Sequence, residues 1–493
     1  MSARIATVAL LALSIGSGCN VVGSIIPGGN GVADIDDPAV VGHFASDIAV
    51  ERISIYQGVE VDLMQGGDET GRNVPVIAGR DAMLRVFVEP DSDFEERDIT
   101  AVLTIESDGE EQYSEVTIEV EGDSEQDELG TTFNFDIPAE TMTSDVAFHV
   151  SLQEVDFEED YGSDDKDAEW PADNELYELD PIQSASIEIV VIPVRYNADG
   201  SGRTPDTSEA QIQRIRNEMY AMYPVTEVNV TVGQTLNWNQ HIQAYGNGWN
   251  QLLQEIAYMR SSANVDANTY YYGLFSPDTS MGNYCYAGCV AGLSLLGSEY
   301  DVWSRASIGL GFAGEGSVET LVHEVGHAHG REHAPCSLGG QPSDPGYPYS
   351  GGAIGTWGYD IVDGDLKDPA QFADMMGYCQ PLWVSDYTYD NLLDRVQALS
   401  AQFRFAPAPD FDPQWKSLSL EPDGQLVPGP TFELSMPPSG DLHVIEVTDA
   451  DGQVVDTVTG YLVQTSHLDG GVLLVQEADV ADFSRVRMPF GTW

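Results

Sequence analysis

The pattern of apolar and polar positions changes twice along this chain. From residue 46 to 183 the apolar residues come in short alternating or β-branched runs: ISIYQGVEVDL, AMLRVFVEP, ITAVLTIES, SEVTIEVEG, TTFNFDIP and VAFHVSLQEV. Clusters of Gly, Asp and Pro separate them, as expected of strands joined by tight turns. After about Ser184 the period lengthens. SIEIVVIPVRY is a fully apolar strand, EAQIQRIRNEMYAMY repeats apolar residues at helical spacing, and VNVTVGQTL is again a strand. A helix over 249–262 (WNQLLQEIAYMRSS), the strand TYYYGLF and a helix over 389–403 (YDNLLDRVQALSAQF) complete that stretch. Beyond the linker PAPDFDP (407–413) only strand signals remain: FELSM, LHVIEVTDA, VVDTVTG and GVLLVQE.

These patterns predict a multidomain protein of mixed class. Six short runs at this spacing suggest an immunoglobulin-like β-sandwich over 46–183. Strands alternating with helices predict an α/β (α+β) domain over 184–404, and 405–493 reads as a small C-terminal β-domain. At roughly 150 residues per domain, 493 residues suggest about three domains, each able to bury a core.

Charge narrows the partners. Twenty Lys+Arg against 81 Asp+Glu give a net charge of −61. That excludes nucleic acid, which is bound through Lys and Arg on the phosphates. It equally excludes polybasic attachment to anionic lipid. Between Glu89 and Asp180, 33 acidic residues stand against two basic ones, Arg97 and Lys166. A solvated acidic face explains them. Calcium on DFEEDYGSDDKD (156–167) is the weaker alternative, because the run lacks the ordered spacing of a calcium loop. A monomer is expected.

The N-terminus assigns the compartment. Residues 5–15 (IATVALLALSI) form an apolar run behind Arg4, too short to span a bilayer and suited to a secretory signal. Gly16-Ser17-Gly18 then precedes Cys19, an arrangement that resembles a bacterial lipoprotein signal. Residues 1–19 would be the signal, with Cys19 lipidated and 20–45 a tether; plain signal cleavage is the alternative. The protein is expected at the outer membrane or cell surface, or secreted, with no membrane contact beyond that lipid. Of five cysteines, Cys285, Cys289, Cys336 and Cys379 remain, an even number that points to disulfides in an exported chain. Cys285 and Cys289 are spaced to close a local loop.

The chemistry concentrates in SVETLVHEVGHAHGREH (317–333). Ser317 is expected to cap a helix with Glu319 in its first turn. Val318, Leu321, Val322 and Val325 form its apolar stripe. His323 and His327 lie about 40° apart around the axis and can reach one ion. Glu324 stands beside them, placed to take a proton from water. Gly330 can adopt the left-handed conformation that ends a helix, which lets His333 supply a third ligand. His329 points away and reads as structural. It is the only further histidine near the motif, so the site is expected to have no well-placed spare donor.

HExxHxxGxxH followed by a methionine turn is similar to the signature of the metzincin zinc endopeptidases. The turn matches Asp374-Met375-Met376-Gly377-Tyr378-Cys379, with Met376 as the turn methionine. The resemblance covers roughly 184–404 and implies one zinc per chain on His323, His327 and His333. It also implies Glu324 as general base and Tyr378 as donor to the oxyanion. The third ligand and the turn converge beneath the metal, which implies a Cys336–Cys379 disulfide beside Cys285–Cys289. The flanking β-domains look like those of large bacterial secreted metzincins, so a protein or glycoprotein substrate is expected. No prodomain cysteine switch is found.

Other motifs carry less. Gly309-Leu310-Gly311-Phe312-Ala313-Gly314 fits GxGxxG, but its helix is the ligand helix and no acidic residue follows about 20 positions on. The glycines are expected to turn an edge strand into that helix. Asp360, Asp363 and Asp365 (DIVDGD) are a calcium candidate, an ordinary acidic turn being preferred. The competing function is a catalytically idle surface binding protein or adhesin, against which the intact Glu324 argues.

Overall fold

A computed structural model describes residues 43–155, 166–400, 412–448, 453–479 and 486–487. The signal, Cys19, most of the tether, most of 156–167 and most of the 407–413 linker lie outside the described residues. The chain is mostly sheet, with few helices and several sheets, an α+β architecture. The expected tether ends earlier than residue 45. Ala45 is buried and donates its amide to the Leu152 carbonyl, and Phe44 bridges Gln153.

Two antiparallel sheets form the N-terminal layer. One runs Asp68–Glu69, Glu60–Gln65, Ile48–Tyr56, Ala82–Pro90, Phe133–Ile137. The other runs Glu169–Trp170, Ala147–Glu154, Arg97–Ser107, Glu110–Val120. Ile53, Leu84, Leu103 and Val150 lie in one core, as alternation along strands requires. The run expected as ISIYQGVEVDL breaks at Gly58, whose φ of 106° suits only glycine and where a Cβ would meet the Ala221 carbonyl at 2.7 Å. There the layer joins the next unit. The Trp383 indole donates to the Gly58 carbonyl (2.7 Å) and the Tyr389 hydroxyl to that of Gln57 (2.8 Å). The buried Arg80 donates to the carbonyls of Gln57 and Val225.

The central sheet runs Val228–Val232, Ile187–Tyr196, Thr269–Phe275, Ala306–Leu310, Gly292–Ser294. All neighbours are parallel except the last strand, which is antiparallel and forms the rim. Ala306–Leu310 is therefore interior, not the edge strand expected from its glycines. Helices Glu209–Met222 and Glu315–Ala328 share one core with Ile189, Val191 and Tyr272, whereas helix Trp249–Ser262 packs with Ile192, Val194 and Ile308. The ligand helix begins two residues before Ser317. Gly314 is its cap at φ 111°, Glu315 supplies the first-turn acid, and the Ser317 hydroxyl donates to the Phe312 carbonyl. The last helix starts three residues upstream of expectation and spans Asp386–Ser400, because the Ser385 hydroxyl accepts from Thr388 N–H at 3.0 Å and caps it.

The C-terminal sheet is antiparallel: Leu426–Glu433, Gln414–Leu420, Gly471–Gln476, Val454–Gln464, Asp441–Thr448, Val486–Arg487. Trp415, Phe432, Val463 and Leu474 pack with helix Trp249–Ser262, while Leu418, Ile445 and Leu473 form a small core of their own. Both expected disulfides, Cys285–Cys289 and Cys336–Cys379, are formed. Such bonds suggest an oxidising, extracellular-type environment. Among the described residues no helix is long and apolar enough to cross a membrane.

Candidate metal centre

The ligand helix is apolar on the side facing the sheet, through Val318, Leu321, Val322 and Val325. That burial turns His323 and His327 toward the cleft. Gly330 ends the helix at φ 84°, with its amide on the His327 carbonyl and that of Arg331 on Gly326. The chain then reverses and brings His333 alongside. The third-ligand segment pairs with the methionine turn: Ala334 N–H donates to the Met376 carbonyl (3.0 Å) and Tyr378 N–H to that of Cys336 (2.9 Å). The Cys336–Cys379 disulfide closes this pairing. Asp374, fully buried, receives the Met376 and Ser385 amides and shapes the turn.

The three imidazoles converge through their Nε2 atoms. His327 Nε2 lies 3.0 Å from that of His323 and 3.2 Å from that of His333. Two of the rings give their Nδ1 proton to a carbonyl, His323 to Met375 at 2.7 Å and His327 to Arg331 at 2.6 Å, and the Pro342 backbone stands beside His333. That fixes the tautomer and leaves bare lone pairs facing one another. Such an arrangement is repulsive without a cation between the rings. The spacing suits one: tetrahedral metal–nitrogen bonds of about 2.0–2.1 Å place ligands about 3.3 Å apart. Burial lowers the His323 pKa to about 4 and that of His333 to about 3, and it holds His327 well below the ordinary range. The rings are therefore neutral and ready to ligate.

A fourth imidazole completes the group. His467, from the turn between strands Val454–Gln464 and Gly471–Gln476, lies with His323, His327 and His333, the four ligand atoms within 4.8 Å of one another. Its Nδ1 is 3.2 Å from His333 Nε2 and 2.6 Å from the Tyr378 hydroxyl. Its Nε2 shares a hydrogen bond with Glu324 Oε1 at 2.6 Å, and the Ser466 hydroxyl donates to Glu324 Oε2 at 3.2 Å. In the tautomer with Nε2 protonated toward the carboxylate, Nδ1 carries the lone pair. This group can hold a metal ion.

No family model matches the chain, and no curated protein does either.

Glu324 is nearly inaccessible, and burial pushes its carboxyl up to about 8. A bound cation would draw that value down. Gly292 leaves it room, since a Cβ there would meet Glu324 Oε1 at 2.4 Å. Tyr378 is half-exposed, its hydroxyl 3.2 Å from His333 Nε2 and 2.7 Å from Gln341 Oε1, and burial raises its pKa. Met376 is buried against Gly326 beneath the ligands, and Met375 contributes its carbonyl to His323. His329 lies away from the group, stacked on Tyr270 at 4.3 Å with Nδ1 on the Val325 carbonyl. Asp360 spends its carboxylate on the amides of Val362 and Asp363 and on Lys367, at 3.7 Å, as an acidic turn does.

Sequence reasoning gathered His323, Glu324, His327, His333, Met376 and Tyr378, and the structure brings them together. It missed His467, Ser466 and Gln341. The expectation that no well-placed spare donor exists is corrected by His467. Its segment QTSHLDG reads only as a hairpin turn, and a lone histidine 134 positions from His333 has no spacing rule to mark it.

Proposed function

We propose that the protein is an exported zinc endopeptidase of metzincin type that hydrolyses peptide bonds in extracellular proteins or glycoproteins. In this reading an immunoglobulin-like β-unit and a C-terminal β-unit flank the catalytic unit, and Cys19 carries a lipid anchor. One observation carries the proposal. A buried carboxylate, Glu324, stands directly beside three converging neutral imidazoles without belonging to their tautomer network. A zinc ion held by His323, His327 and His333 would polarise a carbonyl and lower the pKa of water there. Glu324 takes the proton from the attacking water and returns it to the leaving amine. The Tyr378 hydroxyl donates to the oxygen on which negative charge develops. Met376 and the Cys336–Cys379 bridge hold the third ligand and Tyr378 in register.

A second reading has an observation of its own. Four imidazoles with ligand atoms within 4.8 Å of one another could instead fill every position around an ion, as in a structural metal site, which would suit an idle surface binding protein or adhesin.

Metal content and cleavage of a broad peptide library separate the two. They are compared for wild type and Glu324→Gln, each with and without His467→Ala, because His467 occupies the Glu324 carboxylate. The expected result is unchanged metal and hydrolysis reduced by at least roughly 10²–10⁴-fold in Glu324→Gln. Metal-loaded chains that cut nothing, with or without His467, establish the second reading.

A further inference from the structure

The turn that delivers His467 does not reach the cleft as an isolated side chain. Its backbone lies along the rim strand Gly292–Ser294, whose outer edge the central sheet leaves unpaired. Leu295 and Thr465 form an antiparallel bridge, Leu296 N–H donates to the Gln464 carbonyl (3.0 Å), and Ser466 N–H donates to that of Ser294 (3.0 Å). The Ser466 hydroxyl in turn accepts from Ser294 N–H at 3.0 Å. This is how an extended peptide adds to a sheet edge.

Every group that hydrolysis requires is engaged by the same segment. Ser466 and His467 take one Glu324 oxygen each, and His467 takes the Tyr378 hydroxyl and the fourth position of the histidine group. Beside it a cavity of about 350 Å³ opens between Val290, Thr320, Leu382 and Tyr378 and ends at His467. One arm of a cleft is free there, and the other is filled.

The segment is held as a ligand and not as a substrate. A ring, not a backbone carbonyl, faces the three ligands; the His467 carbonyl is turned aside to accept from Gln341 Nε2 at 3.0 Å. Thr465 closes the turn on the Leu468 carbonyl (3.1 Å), and Gly470 at φ 118° sends the chain back into the sheet. Leu468 sits against Gly246, where a Cβ would approach it to 2.6 Å. Around this seat Gly248 N–H donates to Glu421 (2.8 Å) and Asn250 Nδ2 to the Leu420 carbonyl (2.6 Å).

We propose that the C-terminal β-unit is an autoinhibitory element, in which residues 464–468 occupy the cleft as a peptide would and His467 closes the metal centre as a fourth ligand. The inference rests on the endopeptidase reading above. Attachment through a hairpin makes the inhibitor intramolecular, so weak contacts suffice to keep it seated.

The test uses the full chain loaded with cobalt(II), whose visible absorption reports the donor set, with acetohydroxamate as the probe of an open position. Wild type is compared with His467→Ala and, separately, with Ser466→Pro, which withdraws the amide bonded to Ser294. If the segment is seated in about 99% of molecules, both variants bind the probe about 100-fold more tightly than wild type and their kcat/KM rises by a similar factor. Wild type that takes up acetohydroxamate as readily as the variants, or cleaves peptides as fast, overturns the inference and leaves hydrolysis standing. Probe uptake confined to the variants, with no chain cutting any peptide, supports the closure and removes the endopeptidase reading instead.

Discussion

Met376 brings its sulfur to the one position on the ligand helix beneath the site that has no side chain, Gly326, where a Cβ would come within 2.5 Å of it. Two effects oppose one another when Gly326 becomes Ala. Helix propensity favours Ala by about 1 kcal/mol. Crowding a fully packed methionine costs about 1–3 kcal/mol. Met376 is buried, with Tyr223 also close, so crowding prevails. Gly326→Ala is expected to lower stability by up to about 2 kcal/mol in denaturant titrations. A stabilised variant would show that the methionine turn yields freely.

Metal retention should not collapse when one ligand is lost. With four donors within 4.8 Å of one another, His323→Ala still leaves three imidazoles that could hold an ion. That variant is expected to keep substoichiometric metal after dialysis, whereas His323→Ala/His467→Ala releases it. Equal metal in the two would mean that His467 does not ligate.

The Cys336–Cys379 bridge closes a loop over a separation of 43 residues. Chain-entropy arguments value a loop of this size at about 4 kcal/mol. Replacing both cysteines by Ser is expected to lower the melting temperature and to loosen Tyr378 together with His333. Calorimetry, with and without loaded metal, measures the first effect. A melting temperature within error of wild type would assign the bridge no such role.

Glu218 sets a pH dependence of stability. Burial raises its pKa from 4.5 to about 7, with Asp360, Glu319 and Asp363 adding to the rise and Lys367 opposing it. The folded chain therefore binds more protons than the unfolded one across this window, and the contribution to stability falls as pH rises from about 4.5 through about 7. Glu218→Gln should flatten that decline and melt higher than wild type at pH 8. Parallel melting curves from pH 5 to 8 for the two proteins would contradict it.

Local patterns were legible and remote ones were not. AMLRVFVEP folds residue for residue as strand Ala82–Pro90, and WNQLLQEIAYMRSS as helix Trp249–Ser262, because each periodicity is satisfied by its own neighbours. The motif histidines are likewise set by one helix and one turn. The rim strand Gly292–Ser294 is three residues long, and only its pairing with Ala306–Leu310 makes it a strand. Ser317 carries a good capping side chain, yet Gly314 starts the helix through a backbone conformation that composition does not advertise. His467 belongs to the site by the packing of a separate sheet on helix Trp249–Ser262, a relationship no spacing within 317–333 encodes.

The apolar interior that begins at Ala45 continues through the methionine turn to Leu399 as one connected body. Cohesion of this kind couples the melting of distant parts. The acidic N-terminal sheets and the histidine-bearing helix are therefore expected to lose structure together, which hydrogen exchange followed in both through the melting transition would show. The change of pattern near Ser184 is thus a border of architecture across which stability is held in common.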